Sequence, residues 1–319
     1  MTGPAPATGM PLSVHGDGGV LRVLLDRRAA GSRADGHRVA LVLGGGGMRG
    51  SVVAGMLRAL DRAGLAPCFD AVYGSSSGAV SAAAFVTGLA ASGAACFPED
   101  LASRRFADLR RLGRRRPALD LDFLVDEVLT ARRGLPWERL GHTDVPLHVV
   151  ATDTADLTAH TLTGMAGPAD WRVVLRASAA IPLLAGPPVA WAGRRWIDGS
   201  VAEPLALHRA VDGGATHVLA LLCRGSADLS PGTGVPVWAR ALDRVVPGLG
   251  TLAVGSRRYA AELRTVTDGT ARACLCAIGP DRPVPAGALT VDPEPVAAAV
   301  EIGDAACAAA VEAAAGRSA

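Results

Sequence analysis

The sequence lacks lysine, so every basic side chain other than histidine is an arginine. It is also poor in charge, since charged residues make up only 19% of its 319 residues and the formal net charge is +2. In a chain that is half hydrophobic, so little charge predicts a compact globular protein and excludes a disordered one. The small net charge gives no reason to expect nucleic acid as a partner.

Neither a long hydrophobic run nor a secretion signal is found. The longest apolar stretch, residues 82–97, is interrupted by Thr87-Gly88 and Ser92-Gly93 and is shorter than the roughly 20 residues that cross a bilayer. The first residues lack a basic segment followed by an apolar one. We therefore expect a cytoplasmic protein, which leaves room for peripheral contact with a membrane.

Cysteines are few and scattered, without a repeated metal-ligand spacing. Most lie in apolar runs, which predicts small buried side chains in a reducing compartment. We expect neither a metal site nor a cofactor. The six cysteines are Cys68, Cys96, Cys223, Cys274, Cys276 and Cys307.

The order of predicted strands and helices is that of an α/β protein. Residues 1–37, rich in Gly, Pro, Ala and Ser, are interpreted as a flexible N-terminal extension with one short strand at Val20–Leu25. A single domain, residues 38–319, then opens with the apolar run Val39–Leu43, which suits a strand covered on both faces. Two successive units of strand, glycine-rich turn and helix follow, and such units build a parallel sheet.

The remaining elements are predicted from periodicity and turn residues, with Asp170 as the N-cap of one helix. We predict helices at residues 49–63, 79–91, 98–112, 119–131 and 170–178 and from residue 294 onward. We predict strands at residues 69–73, 147–152, 158–163, 218–223 and 273–278, a hairpin of 189–191 with 194–197, and a loop at 225–236.

A glycine-rich loop, Gly44 to Gly50, directly follows the first strand of the domain. Residues without a Cβ let backbone N–H groups turn toward an anion, and the next helix adds the positive end of its dipole. Such a loop can hold a phosphate or an oxyanion. The spacing Gly45-x-Gly47-x-x-Gly50 also fits a dinucleotide fingerprint, but that site needs an acidic residue at the end of the second strand, where this chain has Gly74.

A serine turn follows the second predicted strand and precedes a helix. The spacing Gly74-x-Ser76-x-Gly78 in this context is typical of a nucleophile elbow, in which the serine hydroxyl is exposed above the sheet edge. The two elbow glycines, Gly74 and Gly78, would let strand and helix pack closely around a strained residue. The glycine spacing selects Ser76 over its serine neighbours.

An Asp-Gly pair, Asp198-Gly199, follows the second strand of the predicted hairpin. Taken alone it is a common turn. Beside the serine turn it becomes a candidate base, because a serine hydroxyl needs a positioned base to become nucleophilic. A histidine triad is the competing arrangement, although only His208 and His217 follow Asp198 in the order that α/β-hydrolases use, and both are predicted on regular elements.

These features together resemble the patatin-like phospholipases. The run Val42 to Gly50, the turn Gly74 to Gly78 and the pair Asp198-Gly199 match that family's motifs in order and spacing. The run Arg176 to Pro182 is similar to the segment that precedes the family's Asp-Gly motif. The similarity covers residues 38–225, the motif-bearing core.

The resemblance implies a three-layer α/β/α fold with a central, mostly parallel sheet, and a lipid acyl hydrolase of the phospholipase A type. It implies a Ser-Asp dyad that acts through an acyl-enzyme intermediate, with Ser76 as nucleophile and Asp198 as base. The family usually has Gly or Ala where this chain has Ser200. The residues that match the oxyanion loop are Gly45, Gly46, Gly47, Arg49 and Gly50.

Other interpretations stay open. The same dyad would serve a general carboxylesterase, lipase or thioesterase, and the same fold could belong to a non-catalytic lipid-binding protein. The basic segment Arg104 to Arg116 is either a solvated surface or a contact for anionic headgroups. Trp191 and Trp196 are core residues or walls of an acyl pocket, and Asp153 and Asp156 are turn residues or polar support.

Overall fold

The computed structural model of the protein describes residues 14–224, 255–280 and 282–316. The predicted loop at 225–236 lies outside these ranges. Within them, nine strands form one sheet. They are β1 Val14–Gly16, β2 Val39–Leu43, β3 Ala71–Ser75, β4 Leu147–Asp153, β5 Ala159–Leu162, β6 Val189–Trp191, β7 Arg194–Asp198, β8 His217–Leu221 and β9 Cys274–Ile278.

The middle of the sheet is parallel and its margins are antiparallel. The strand order is β1-β9-β8-β2-β3-β4-β7-β6, with β5 also paired to β4. Every pairing from β9 through β8, β2 and β3 to β4 is parallel. The pairings of β1, β5, β6 and β7 are antiparallel. The prediction of a mostly parallel sheet is confirmed.

Helices cover both faces of the sheet within the described residues. Side chains of β2 alternate between two cores, with Leu41 and Leu43 in the first and Ala40 and Val42 in the second. Five helices, α1–α5, and the last, α8, pack on the first core, while α6 and α7 pack on the second, which gives the three-layer α/β/α fold. The helices are α1 Gly19–Ala30, α2 Gly50–Arg62, α3 Ser77–Val86, α4 Ala90–Cys96, α5 Pro168–Ser178, α6 Leu207–Asp212, α7 Gly255–Asp268 and α8 Pro293–Ala315.

The segment before residue 38 is folded where it is described, so the prediction of a flexible extension is wrong for residues 14–37. The predicted strand Val20–Leu25 is instead the core of helix α1, because its apolar residues fall on one helical face rather than alternating. The buried Arg27 ties this helix to the domain through ion pairs with Asp35 and Asp70, at 2.7 and 2.8 Å.

The predicted helix 98–112 is also wrong. The chain makes a π-helical turn at Phe97–Leu101 and a separate 3-10 helix at Leu109–Arg114. Between them Asp108 is extended, because its N–H donates to the carbonyl of Ala118 rather than to the preceding turn. The next predicted helix is present as a π-helix at Phe123–Arg132.

Smaller differences lie at element boundaries. Strand β3 begins two residues later than predicted, and the helix predicted at 79–91 is divided into α3 and α4. Helix α5 has Gly167 rather than Asp170 as its N-cap, and the Asp170 carboxylate instead accepts the N–H of Ala166. No helix within the described residues is both long and apolar enough to span a bilayer.

Candidate functional site

Ser76 lies on the turn between β3 and α3 in a backbone conformation that few side-chain-bearing residues adopt, with φ of 54° and ψ of −130°. Hydrogen bonds to three different elements fix this turn. The Ser76 N–H donates to the Ser178 hydroxyl at 2.9 Å, that hydroxyl donates to the Val150 carbonyl at 2.7 Å, and the Ser76 carbonyl accepts the Ala79 N–H at 3.0 Å. The strained residue is therefore held by β4, α5 and the first turn of α3.

The two elbow glycines are required by close packing and not by their own backbone angles. A Cβ on Gly74 would lie 2.8 Å from the backbone of Ala79, and one on Gly78 would lie 2.6 Å from the carbonyl oxygen of Leu43. Both distances are far shorter than real Cβ contacts. Helix α3 can therefore approach the ends of β2 and β3 only because these positions lack a side chain.

The register of β4 brings Asp198 to Ser76. Strand β5 pairs with residues 149–152 of β4, so β3 and β7 share the opposite edge of β4. On that edge β3 ends with Ser75 opposite Val150, and β7 ends with Asp198 opposite Ala151. The two strands thus meet end to end, and the residue after β3 faces the last residue of β7.

Asp198 is buried, with 1% of its surface exposed. One carboxylate oxygen, Oδ1, accepts the Ser200 N–H at 2.9 Å and the Ser200 hydroxyl at 2.6 Å. The other, Oδ2, is buried and accepts no hydrogen bond within the described residues. Burial raises the pKa of Asp198, while the Ser200 hydrogen bonds and the nearby Ser76 hydroxyl offset part of that rise.

The glycine-rich loop lies directly against the serine turn. A Cβ on Gly45 would approach the Cβ of Ser76 to 2.9 Å, and one on Gly47, where φ is +58°, would lie 2.5 Å from the carbonyl oxygen of Ala288. The Gly46 N–H already donates to the Ser77 hydroxyl at 3.1 Å. Within the described residues, no hydrogen bond engages the N–H of Gly45 or Gly47. Within this loop, these two donors are available to an anion.

Two further predicted loop residues lie at the start of helix α2. Arg49 ends the short 3-10 turn that begins at Gly47, and its N–H donates to the Gly46 carbonyl at 3.2 Å. A Cβ on Gly50 would lie 2.4 Å from the Ser77 hydroxyl oxygen, so this glycine lets α2 approach α3. The positive ends of both helices therefore converge beside Ser76.

Ser76 opens into an apolar cavity of about 470 Å³, a volume that includes the part open to solvent. Gly47, Ser76 and Ser77 form its polar end. Such a cavity suits an apolar ligand oriented by a few polar groups. Its hydrophobic walls are Met48, Val80, Phe97, Leu101, Phe106, Leu119, Leu121, Leu124 and Ile181, with Ala179 and Ala288.

For two pairs of residues that had a structural and a functional alternative, the structure supports the structural one. Trp191 and Trp196 do not line the cavity; the Trp196 indole N–H donates to the carbonyl of Trp191 in the β6–β7 hairpin. Asp153 does not support Asp198, because its carboxylate forms a 2.7 Å ion pair with Arg194. Ligand atoms of Asp153, Asp156 and His160 lie within 4.8 Å of one another, a grouping that the sequence spacing did not indicate.

Histidine is not joined to Ser76 by any hydrogen bond in the described structure. His208 is exposed on helix α6. His217 is the first residue of β8 and pairs with Val39, the first residue of β2. It therefore lies at the end of the sheet opposite to the serine turn. The geometry therefore gives no support to a histidine triad.

Sequence reasoning missed two residues that hold the site together. Ser178 clamps the Ser76 N–H, and it lies inside the run Arg176 to Pro182 whose similarity to the family was the available signal. Ala288 accepts the Met48 N–H at 3.0 Å and so fixes the glycine-rich loop. It lies between β9 and α8 in a segment without a motif, so nothing in the sequence pointed to it.

Comparison with known proteins identifies the family of this chain. A model of the family described as patatin-like phospholipase matches residues 41–211, and the chain belongs to that family of lipid hydrolases. The chain is 29% identical over 187 residues to the uncharacterized protein YjjU of Escherichia coli strain K12, covering 58% of this chain and 51% of that protein, so it spans about half the length of this relative. The crystal structure of VipD from Legionella pneumophila is a weaker match, with a TM-score of 0.45 and 14% identity over 87% of this chain and 67% of that one.

Replacing Ser178 with Ala should lower the free energy of unfolding by about 1–3 kcal/mol, because the Ser76 N–H and the Val150 carbonyl would lose their buried partner. Urea denaturation measures the change. Ser32→Ala is the matched control, since the Ser32 hydroxyl accepts one hydrogen bond at an exposed site. Equal stability of the two variants would show that Ser178 does not clamp the turn.

Proposed function

We propose that this protein is a lipid acyl hydrolase of the phospholipase A type, with Ser76 as nucleophile and Asp198 as general base. The observation that carries the proposal is a serine on a strained strand–helix turn, at the polar end of an apolar cavity, facing a buried carboxylate with one unpartnered oxygen. Family membership supports a lipid substrate. The walls of the cavity suit an acyl chain, and the polar end suits the ester group.

In the first half of the reaction, Asp198 Oδ2 takes the hydroxyl proton of Ser76 as Oγ attacks the ester carbonyl carbon. The N–H groups of Gly45 and Gly47, with the N-termini of α2 and α3, would hold the negative charge on the carbonyl oxygen. The C–O bond to the alcohol then breaks, and the departing oxygen takes the proton from Asp198. An acyl-Ser76 ester remains.

The second half repeats these steps with water. Asp198 accepts a proton from the water molecule, whose oxygen attacks the acyl carbon, and the same N–H groups hold the second oxyanion. The bond to Ser76 Oγ breaks and the serine recovers its proton from Asp198. Burial raises the pKa of Asp198, which makes its carboxylate a stronger base than a solvated one. No histidine takes part in this scheme.

The proposed location is the cytoplasm, with peripheral attachment to a membrane. Five of the six cysteines are buried, as expected of thiols that serve as small core residues in a reducing compartment. The proposed membrane contact is the arginine-rich segment between Arg104 and Arg116.

Fluorophosphonate labelling tests the dyad without needing the natural substrate. We expect strong labelling of the wild type, complete loss in Ser76→Ala, and a large loss in Asp198→Asn, because an amide cannot accept the serine proton. The matched control is Ser81→Ala, since the Ser81 hydroxyl on α3 is buried and has no hydrogen-bond partner among the described residues. A folded wild type that stays unlabelled in the presence and absence of vesicles would favour a non-catalytic lipid-binding protein.

Replacing Gly47 with Ala should lower kcat about 100- to 1000-fold, the effect of losing an oxyanion donor. An added Cβ would collide with the Ala288 carbonyl and move the loop away from Ser76. Gly36→Ala is the matched control, because Gly36 also has positive φ but has open space around it. Equal kcat in the two variants would remove this loop from the mechanism.

Replacing Ser200 with Ala should shift the acidic limb of the kcat/KM profile to higher pH. Asp198 must be ionised to act as base, and the Ser200 hydroxyl lowers the pKa of its carboxyl, so removal of that hydroxyl raises the pKa. The measurement is hydrolysis of a short-chain ester across pH. An unmoved acidic limb would mean that Asp198 ionisation does not control the rate.

A further inference from the structure

A short loop projects from the wall of the cavity. Its two ends pair with each other, since the Asp108 N–H donates to the Ala118 carbonyl at 2.8 Å and the Asp120 N–H donates to the Phe106 carbonyl at 2.9 Å. One antiparallel bridge, Ala107 with Leu119, lies between these bonds. Residues 109–117, here named the arginine loop, therefore extend as the tip of a hairpin.

The base of this hairpin belongs to the cavity. Phe106 and Leu119 line it, and so does Ile181. The Leu119 N–H also donates to the Leu184 carbonyl at 2.9 Å, which joins the segment 181–184 to the same hairpin. A surface that holds the arginine loop therefore lies beside this wall of the cavity.

Large hydrophobic side chains are exposed on these two segments. Among the described residues, the exposed large hydrophobics are Leu109, Leu112 and Leu183, with 55%, 41% and 42% of their surface in solvent. Leu109 and Leu112 are three residues apart on the 3-10 helix Leu109–Arg114, so they lie on one side of it. An isolated exposed leucine has no significance, but these three lie on two segments that are joined to each other and to the cavity wall.

Positive charge surrounds these leucines. The segment 104–116 carries seven arginines and a single acidic residue, Asp108, which pairs with Arg104 and Arg110. Arg105 pairs with two carboxylates outside the segment. The three at the tip of the arginine loop are exposed and form no ion pair with a described residue. These three are Arg114, Arg115 and Arg116.

We propose that the arginine loop and Leu183 dock the protein on an anionic phospholipid bilayer. The arginines contact headgroup phosphates, and Leu109, Leu112 and Leu183 enter the acyl layer. Docking in this orientation turns the cavity opening toward the lipid, so that an acyl chain moves from the bilayer into apolar walls without crossing water. The proposal rests on the proposed function for its substrate, but the binding itself does not require catalysis.

Vesicle flotation tests the docking surface. The vesicles are phosphatidylcholine alone and phosphatidylcholine mixed with phosphatidylglycerol, and we expect the wild type to bind only the mixed vesicles firmly. A triple variant, Arg114→Gln with Arg115→Gln and Arg116→Gln, should bind them about 100-fold more weakly, at about fivefold per arginine. The charge-matched control carries Arg22→Gln, Arg139→Gln and Arg264→Gln, exposed arginines away from the loop, and should bind almost as well as the wild type.

The leucines have their own test. Leu109→Ser combined with Leu112→Ser should weaken vesicle binding at least tenfold while leaving the charge unchanged. Equal binding of the loop variant and the control triple, or no preference for anionic vesicles, would overturn the proposal. Absence of wild-type binding to vesicles would also overturn it and would leave an acidic protein as the partner of the arginines.

Catalysis and docking can fail separately. Ser76→Ala should float with anionic vesicles as the wild type does, although it hydrolyses nothing. In the absence of vesicles, the control variant with three substituted arginines should be labelled by the fluorophosphonate as the wild type is. Equal labelling would show that these three control substitutions leave the fold intact. A wild type that binds anionic vesicles but is never labelled would contradict the proposed hydrolase and support the docking surface.

Discussion

The site depends on the junction at which β3 and β7 meet along one edge of β4. Strands β3 and β7 run toward each other along this edge and both end there, so the serine turn and Asp198 meet. Gly199 makes the junction possible, since a Cβ at that position would lie 2.3 Å from the Val150 carbonyl oxygen. The Thr152 hydroxyl donates to the Asp198 carbonyl at 2.9 Å and fixes the turn that follows.

At this junction the two oxygens of the Asp198 carboxylate have different surroundings. Oδ1 accepts the hydrogen bonds from the Ser200 N–H and hydroxyl, while Oδ2 is buried and faces Ser76. Burying a charged carboxylate whose oxygen lacks a hydrogen-bond partner costs free energy, and this cost raises the pKa of Asp198. The surrounding structure must therefore hold both residues in place, and their backbones are fixed: the Ser76 N–H donates to the Ser178 hydroxyl and the Asp198 N–H to the Ala180 carbonyl.

The two helical layers support different parts of the site. The layer with α2, α3 and α8 supplies the glycine-rich loop, the serine turn and most of the cavity. The layer with α6 and α7 supports the chain after Asp198, where the Glu262 carboxylate accepts the Leu205 N–H at 2.7 Å. Burial, together with the nearby Glu203, raises the pKa of Glu262 to about 8.

The sequence by itself determined the central strands, the glycine-rich loop and the identity of the candidate dyad. Continuous apolar runs such as Val39–Leu43 and fixed glycine spacings are local signals, because sheet burial and tight turns act over a few residues. Only the tertiary structure decided the rest. The hairpin that interrupts residues 98–112 and the contact of Ala288 with the glycine-rich loop depend on partners distant in the chain, and local propensity contains no information about such partners.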